Sequence, residues 1–205
     1  MAPEIPTPSD EELARATQAG SFDAFESLVR RYESRLYGFL ANACGTEAAA
    51  REVTQDTFVR AFQAIEQFDP RRPFGPWLFA IARRKAIDRH RATPPAPDGE
   101  PLPEPCDHDD PAELLARRED GQALWRCARG VLPEAQFQAL WLRYAEDMTV
   151  AEIAQVLRKT QTHIKVLLFR ARRVLGEELE RRRAEERLPE PSFSEPSRRP
   201  GLSPV

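Results

Sequence analysis

Apolar residues recur at helical spacing along most of this chain, and no segment alternates in the way that strands do. The clearest stripe runs through Phe25, Leu28, Tyr32, Leu36 and Phe39, with the three- and four-residue steps that place side chains on one face of a helix. Similar stripes recur in later segments. The pattern predicts an all-α protein in which each helix buries one face in a core.

Polar residues that can cap helices indicate where the helices begin. Ser9 with Glu12, and Thr149 with Glu152, have the spacing of capping boxes, in which each side chain bonds the backbone amide of the other residue. Near the C-terminal end these signals predict a short helix over 150–157, a tight turn and a longer helix from about 161. Further caps are predicted at Ser21, Thr46 and Thr160.

Proline and charge divide the chain into two small helical domains. A stretch rich in Pro, Asp and Glu cannot build a core and predicts a flexible acidic linker. The predicted organisation is an unstructured N-terminus (1–8), a first helical domain (9–91), the acidic Pro-rich linker (92–110), a second helical domain (111–180) and a charged, then Pro- and Ser-rich tail (181–205).

The small net charge of −3 hides strong segregation of charge along the chain. Residues 71–91 contain seven Arg or Lys side chains and one acid, Asp88, while residues 158–173 contain six cations and no acid. Residues 92–120 contain nine acids and two arginines. Two basic blocks on either side of an acidic one favour a nucleic-acid partner over an even, solvated surface.

Other features exclude several classes of protein. Three cysteines without CxxC spacing argue against a disulfide framework, and neither a secretion signal nor a membrane-spanning run is recognisable. We therefore expect a cytoplasmic protein. No paired catalytic carboxylates, Ser/His set or phosphate-binding glycine loop appears, so we expect no enzyme, no catalytic residue and no cofactor.

A nucleic-acid hydrolase or transferase is a third class of hypothesis, and it would need a metal site. The only cluster with suitable ligands is Cys106-Asp107-His108-Asp109-Asp110. Because this cluster lies within the predicted linker, a solvated acidic patch is the favoured interpretation and no metal site is predicted.

The two helices near the C-terminal end have the form of a helix-turn-helix DNA reader. The second helix of such a unit enters the major groove, where its first turns reach base edges. Gln, Lys and Thr suit adenine, guanine and thymine there, and arginines further along suit phosphates. A plain surface helix of a bundle is the alternative. The predicted contacts are Thr160, Gln161, Thr162, His163, Lys165, Arg170, Arg172 and Arg173.

One feature of this unit is unfavourable for the turn. Arg158 and Lys159 stand where a glycine would adopt a positive φ freely. If the turn needs that conformation, Arg158 bears a strain of about 1 kcal/mol.

The basic block at 71–91 mixes cations with aromatic residues. Aromatic faces beside a positively charged track hold unpaired nucleotides, because every base offers a π face and every nucleotide a phosphate. The alternative is that Trp77 belongs to the core and the cations are solvated. The predicted contacts are Arg71, Arg72, Phe74, Trp77, Arg83, Arg84, Lys85 and Arg89.

The order of these parts resembles a known family. The strings FDAFESLVRRYESRLYGFL, AREVTQDTFVRAFQAIEQFDP and FGPWLFAIARRKAIDRHR resemble region 2 of bacterial sigma-70 family sigma factors. LPEAQFQALWLRYAEDMTVAEIAQVLRKTQTHIKVLLFRARRVL resembles their region 4. Since only a linker separates the two, the chain resembles the extracytoplasmic-function (ECF) group.

The resemblance implies a division of labour in promoter-specific transcription initiation. Loop 69–76 would capture a flipped base of the −10 element, the helix 77–91 would melt the promoter, and region 4 would read the −35 element and engage the polymerase flap. The acidic linker would thread toward the active-site and RNA-exit channel, and an anti-sigma factor would regulate the protein. Residues implied to dock on the clamp helices of core RNA polymerase are Gln55, Asp56, Phe58 and Arg60.

The chain also departs from the family's usual pattern. Arg158 and Lys159 replace a glycine and a small apolar residue, and Val166-Leu167 replaces a frequent Ser-Arg pair. A stand-alone helix-turn-helix regulator, which would bind duplex DNA specifically without polymerase, is the alternative function.

Overall fold

The computed structural model describes residues 7–92 and 113–186, and all of the regular structure in these ranges is helical. Residues 1–6 of the predicted N-terminal segment, most of the linker with its Cys106–Asp110 cluster, and the tail from 187 lie outside the described residues. The helices are α1 (Asp10–Gln18), α2 (Phe22–Ala41), α3 (Glu47–Gln63), a 3-10 turn (Ile65–Gln67), α4 (Phe74–Ala92), α5 (Glu113–Val131), α6 (Glu134–Tyr144), α7 (Val150–Leu157) and α8 (Gln161–Glu186).

The predicted caps are confirmed. Ser9 and Thr149 each form a capping box, with Glu12 and Glu152 respectively. The side chain of Thr160 accepts a hydrogen bond from the His163 amide at 3.2 Å and so caps α8. The side chains of Ser21 and Thr46 do the same for α2 and α3. Capping satisfies backbone amides that have no partner inside a helix, which is why these starts were readable from the sequence.

An aromatic core fixes α4 in the N-terminal domain (α1–α4). Phe74, the first residue of α4, is 1% exposed, and its ring lies 5.5 Å from that of Tyr32 and 5.4 Å from that of Phe68. Further along α4, the Phe79 ring meets Phe39 edge-on at 5.2 Å. Such edge-to-face pairs are the preferred geometry of aromatic contacts. The apolar side of α4 is therefore inside, and its cationic positions face outward.

The C-terminal domain (α5–α8) packs around a second set of buried side chains. Phe137 of α6, Ile153 of α7 and Ile164 of α8 are all fully buried. Between α7 and α8, Arg158 has φ 47° and ψ 51°, the left-handed conformation. The turn therefore needs the positive φ that the sequence suggested would strain an arginine there.

The two domains pack against each other. Helix α7 lies against α4, and Arg35 of α2 donates a 2.6 Å hydrogen bond to Glu146, whose side chain is 1% exposed. The indole of Trp141 on α6 lies directly over Gly38 of α2. The described residues therefore adopt one closed arrangement, in which the helix-turn-helix covers part of the N-terminal domain.

One boundary differs from the sequence-based expectation. Helix α8 continues to Glu186, six residues beyond the predicted end of the second domain, because residues 177–186 carry only strong helix formers. No helix between residues 7 and 92 or between 113 and 186 is long and apolar enough to cross a membrane.

Replacing Arg158 by glycine is expected to raise the melting temperature of the protein above that of Arg158→Ala. Both substitutions remove the same charge, but only glycine adopts a positive φ without strain. The expected difference is about 1 kcal/mol, or roughly 3 °C for a chain of this size, measured by circular dichroism. Equal melting temperatures would contradict strain at this turn.

Candidate nucleic-acid and polymerase interfaces

The loop before α4 exposes two arginines around one acid. The side chains of Arg71 and Arg72 are 88% and 77% exposed. Arg71 Nε donates to Asp69 Oδ1 at 2.9 Å, and the hydrogen bonds from Arg71 lower the pKa of the Asp69 carboxyl. Asp69 thus shapes the loop while the Arg72 guanidinium, 3.9 Å from the same carboxylate, stays open to solvent.

Phe74 is wrongly predicted as an exposed stacking residue. Because α4 begins at Phe74 itself, its side chain turns inward between Tyr32 and Phe68. Trp77 is only partly buried, and its ring lies 5.1 Å from Phe68 and 5.5 Å from Phe74. Trp77 therefore fits both interpretations in part. One side of the residue packs on the core, and the remaining accessible part could still contact a base.

A cavity of about 630 Å³ opens beside Trp77. Its walls on the N-terminal domain include Phe68, Arg72 and Pro73. The opposite wall is formed by α7, through Glu152 and Gln155. A cavity therefore does lie beside the loop that is predicted to capture a base, but α7 of the C-terminal domain forms one of its walls.

The cations of α4 do not form one continuous track. Lys85 Nζ lies 3.6 Å from Asp56 Oδ2 on α3, and Arg89 pairs with Glu52 on the same helix. The Arg84 side chain is 76% exposed, and its Nε lies 4.0 Å from Asp88 Oδ2 in the next turn of the helix. The prediction that these cations lack compensating acids was therefore wrong for Lys85 and Arg89, because acids of α3, distant in sequence, face them.

The environment of Arg83 includes charges of the C-terminal domain. Burial lowers the pKa of its guanidinium, Glu134 acts against this effect, and Arg158 adds to it. Since Glu134 and Arg158 belong to the C-terminal domain, Arg83 lies at the domain boundary. Of the predicted α4 cations, Arg84 is the one that most clearly faces solvent.

Helix α8 presents an exposed stripe along its first four turns. Ile164, Leu167, Leu168 and Ala171 face the core. The exposed positions repeat at three- and four-residue steps on the other side, as the helical period requires. They are Thr162, Lys165, Val166, Phe169, Arg170 and Arg173, with Gln161 and His163 also exposed at the start.

Three predicted DNA contacts of α8 have structural partners. The Thr160 hydroxyl is occupied as the helix cap. Arg172 Nε donates to the Leu168 carbonyl at 3.3 Å, and its Nη1 donates to the Tyr144 hydroxyl at 3.5 Å. Arg173 is 66% exposed and lies 3.5 Å from Glu177. Arg170 and Arg173 are therefore better placed for phosphates than Arg172.

Helix α3 carries the residues implied to dock on polymerase, with one correction. Gln55, Asp56 and Arg60 are exposed. Phe58 is 8% exposed and meets Phe25 edge-on at 6.5 Å, so it belongs to the core and not to an interface.

Sequence reasoning missed the apolar residues of this surface. Val59 and Phe62 are 57% and 44% exposed, and Phe22 is 66% exposed. The rings of Phe22 and Phe62 lie 6.1 Å apart, so the three form one patch, here called the Phe22–Phe62 patch, beside Gln55 and Arg60. The helical phase of Val53, Thr57 and Ala61, which are buried, would have placed Val59 and Phe62 outside.

Comparison with known proteins matches both domains. The family model described as Sigma-70 region 2 matches residues 28–93, and Sigma-70, region 4 matches residues 124–175. The two matches cover α2–α4 and the helix-turn-helix with its supporting helices.

Individual relatives agree with these matches. The ECF RNA polymerase sigma factor BldN of Streptomyces coelicolor is 32% identical over 169 residues, which cover 80% of this chain and 64% of BldN. SigW of Bacillus subtilis is 26% identical over 188 residues, covering 80% and 94%. The structure of CnrH in complex with the cytosolic domain of CnrY superposes with a TM-score of 0.61 and 28% identity, covering 85% of this chain and 99% of CnrH. The chain therefore belongs to the ECF group of the sigma-70 family, the non-enzymatic factors that direct RNA polymerase to promoters.

Proposed function

We propose that this sigma factor docks on core RNA polymerase through α3, holds the opened −10 element with its 69–76 loop and α4, and reads the −35 element with α8. The observation that carries the proposal is the exposed stripe of α8. It offers a Thr and a Lys in the first turns of the second helix of a helix-turn-helix, with arginines behind them, which is the order of base and phosphate contacts in such readers.

The −10 role is supported by what surrounds Trp77. The Arg71 and Arg72 guanidinium groups lie on the exposed loop, and the cavity beside Trp77 has an aromatic wall. Opening a duplex costs a few kcal/mol per unstacked step. Stacking on an aromatic face contributes about 1–3 kcal/mol per base, so an occupied cavity offsets much of that cost.

The polymerase role is supported by the Phe22–Phe62 patch. Exposed aromatic side chains with polar neighbours are the usual composition of an interface centre and its rim. Here Gln55, Asp56 and Arg60 form the rim. The ion pair between Lys85 of α4 and Asp56 of α3 connects the helix proposed to bind DNA with the helix proposed to bind polymerase.

The relatives also suggest a regulatory partner. CnrH is found in complex with the cytosolic domain of CnrY. By extension, an anti-sigma factor would hold this chain away from polymerase. Because its targets are polymerase and promoter DNA, the site of action would be the cytoplasm.

Run-off transcription with purified core polymerase on a library of promoter fragments tests the proposed function. The chain is expected to create start sites that core polymerase alone does not use. Unchanged start sites would contradict it. Specific binding of duplex DNA by the chain alone, with no effect on polymerase, would instead support the stand-alone regulator.

Phe62→Ala is expected to weaken binding to core polymerase by about fivefold or more, since truncation of an aromatic hot-spot residue costs over 1 kcal/mol. Phe58→Ala is the matched control, because its ring is buried four residues earlier. It is expected to cost about 3–5 kcal/mol of unfolding free energy. Polymerase binding by fluorescence anisotropy and urea unfolding measure the two effects. Normal polymerase affinity in the Phe62 variant would rule out the patch as an interface.

Lys165→Ala and Arg173→Ala are expected to affect promoter choice differently. Loss of a base contact costs about 1–3 kcal/mol at one position of the site, whereas loss of a phosphate contact weakens all sites about equally and lowers the salt slope by about 1. Lys165→Ala should therefore change the preferred −35 sequence in the holoenzyme, and Arg173→Ala should not. Identical sequence preferences in both variants would contradict base reading by Lys165.

A further inference from the structure

Helix α1 binds the start of the loop that is proposed to capture a −10 base. Gln18, the last residue of α1, donates hydrogen bonds from Nε2 to the carbonyl oxygens of Ile65 and Phe68, at 2.7 Å and 2.8 Å. A side-chain amide carries two N–H groups, so one glutamine binds both carbonyls at once. Phe68 is the residue directly before the loop segment 69–73. Gln18 therefore fixes the point at which this segment begins.

Glu11 of the same helix binds the end of the loop segment. Its Oε1 accepts a hydrogen bond from the backbone amide of Phe74, the first residue of α4, at 3.0 Å. The first amides of a helix have no partners inside the helix, and Pro73, which precedes α4, has no side-chain acceptor that could cap it. The helix dipole also favours a carboxylate at this position. Glu11 thus takes the place of a local cap and fixes the point at which the segment ends.

The spacing of these two residues explains how one short helix contacts both ends. Positions seven apart in an α-helix face the same side and lie about 10 Å apart along the axis. Ala14, between them, is fully buried, so this side of α1 packs on the domain. Helix α1 is itself held by Asp10, which accepts 2.6 Å hydrogen bonds from Arg31 and Tyr32 of α2. Both anchoring residues therefore belong to a fixed element.

The segment between the anchors carries the groups that would contact DNA. Arg72 and Pro73 line the cavity beside Trp77. Asp69, which also lines it, accepts hydrogen bonds from the backbone and the side chain of Arg71. No residue of α1, a helix that the structure describes in full, lines this cavity. The two anchoring residues therefore act on the proposed −10 site only through the loop.

We propose that α1 sets the base preference of the −10 site, with Gln18 and Glu11 as positioning residues that hold the two ends of the loop. This role rests on the proposed function, because it assumes that the loop 69–76 captures a base. A loop that is already ordered loses little conformational freedom when a base enters, whereas a free loop must be ordered at that moment. An ordered loop also presents the same groups to every base, so a wrong base is not accommodated by rearrangement.

The alternative is that these hydrogen bonds only stabilise α1, and the chain offers a matched control for it. Glu12 lies next to Glu11, and its carboxylate forms the capping box with Ser9. Glu11→Ala and Glu12→Ala both remove one acid from the first turn of α1. Only Glu11→Ala removes a hydrogen bond to the loop.

Transcription by the holoenzyme on pre-opened promoters tests the proposal. In these templates mismatches leave the −10 element unpaired, so the cost of opening the duplex is removed and capture of the base remains. Each −10 position carries the four bases in turn. The ratio of transcript from the best base to transcript from the other bases measures discrimination, and the base preference at the −35 element is measured alongside.

Glu11→Ala and Gln18→Ala should lower the discrimination at the captured position about fivefold, the factor that one hydrogen bond of average net strength represents. Glu12→Ala should retain the discrimination, and so should Glu11→Gln, which keeps an oxygen acceptor. The −35 preference should stay unchanged in all four variants.

Hydrogen exchange of the free chain, measured by NMR, reports the position of the loop without DNA or polymerase. The Phe74 amide should exchange about fivefold faster in Glu11→Ala than in the wild type, because its acceptor is lost. It should exchange at the wild-type rate in Glu12→Ala. Urea unfolding shows which variants are folded, and the Glu11 variants decide the question if Gln18→Ala is not.

Unchanged discrimination in the folded alanine variants at positions 11 and 18 would overturn the proposal. An equal loss in Glu12→Ala would also overturn it, since α1 would then contribute stability alone. Equal behaviour of Glu11→Gln and Glu11→Ala would overturn the hydrogen bond as the cause. A wild-type holoenzyme without base preference at any pre-opened −10 position would contradict the proposed function itself, whatever the exchange rates.

Discussion

The burial of one side of α4 is the constraint on which the other features depend. Phe74, Leu78, Phe79 and Ala82 are at most 1% exposed, and their contacts with Tyr32, Phe39 and Phe68 fix the rotation of the helix about its axis. With that rotation set, Trp77 and Ala80 line the cavity and Arg84 faces solvent. The aromatic core therefore decides which positions of α4 are available to a partner.

The available side of α4 has two competing partners. In the closed chain it meets α7, whereas in the proposed promoter complex it meets opened DNA. The interdomain contact combines a tight steric fit at Gly38, an ion pair whose carboxylate is buried and a few apolar contacts. A buried ion pair contributes little net stability, because desolvation of the charges offsets their attraction.

Local signals in the sequence predicted the helices well. Contacts between segments that are distant in sequence could not be predicted in this way. Capping boxes at Ser9 and Thr149 and the cap at Thr160 are encoded within three residues, so these helix starts were readable. The strained turn at Arg158 was readable for the same reason. Asp56 and Glu52, which pair with Lys85 and Arg89, lie on another helix, and charge counting within one segment missed them. Phe58 and Phe74 were misplaced because motif position does not give helical phase.

The most direct test measures energy transfer between two dyes, one at Ser34 on α2 and one at Ala151 on α7, which are both exposed. It asks whether the two domains are in contact in the free chain and apart in the promoter complex. The account predicts efficient transfer in the free chain. It predicts loss of transfer in the complex with core polymerase and promoter DNA, where the two domains lie on elements about 85 Å apart at 3.4 Å per base pair. Inefficient transfer in the free chain, or transfer that persists in an active promoter complex, would contradict it.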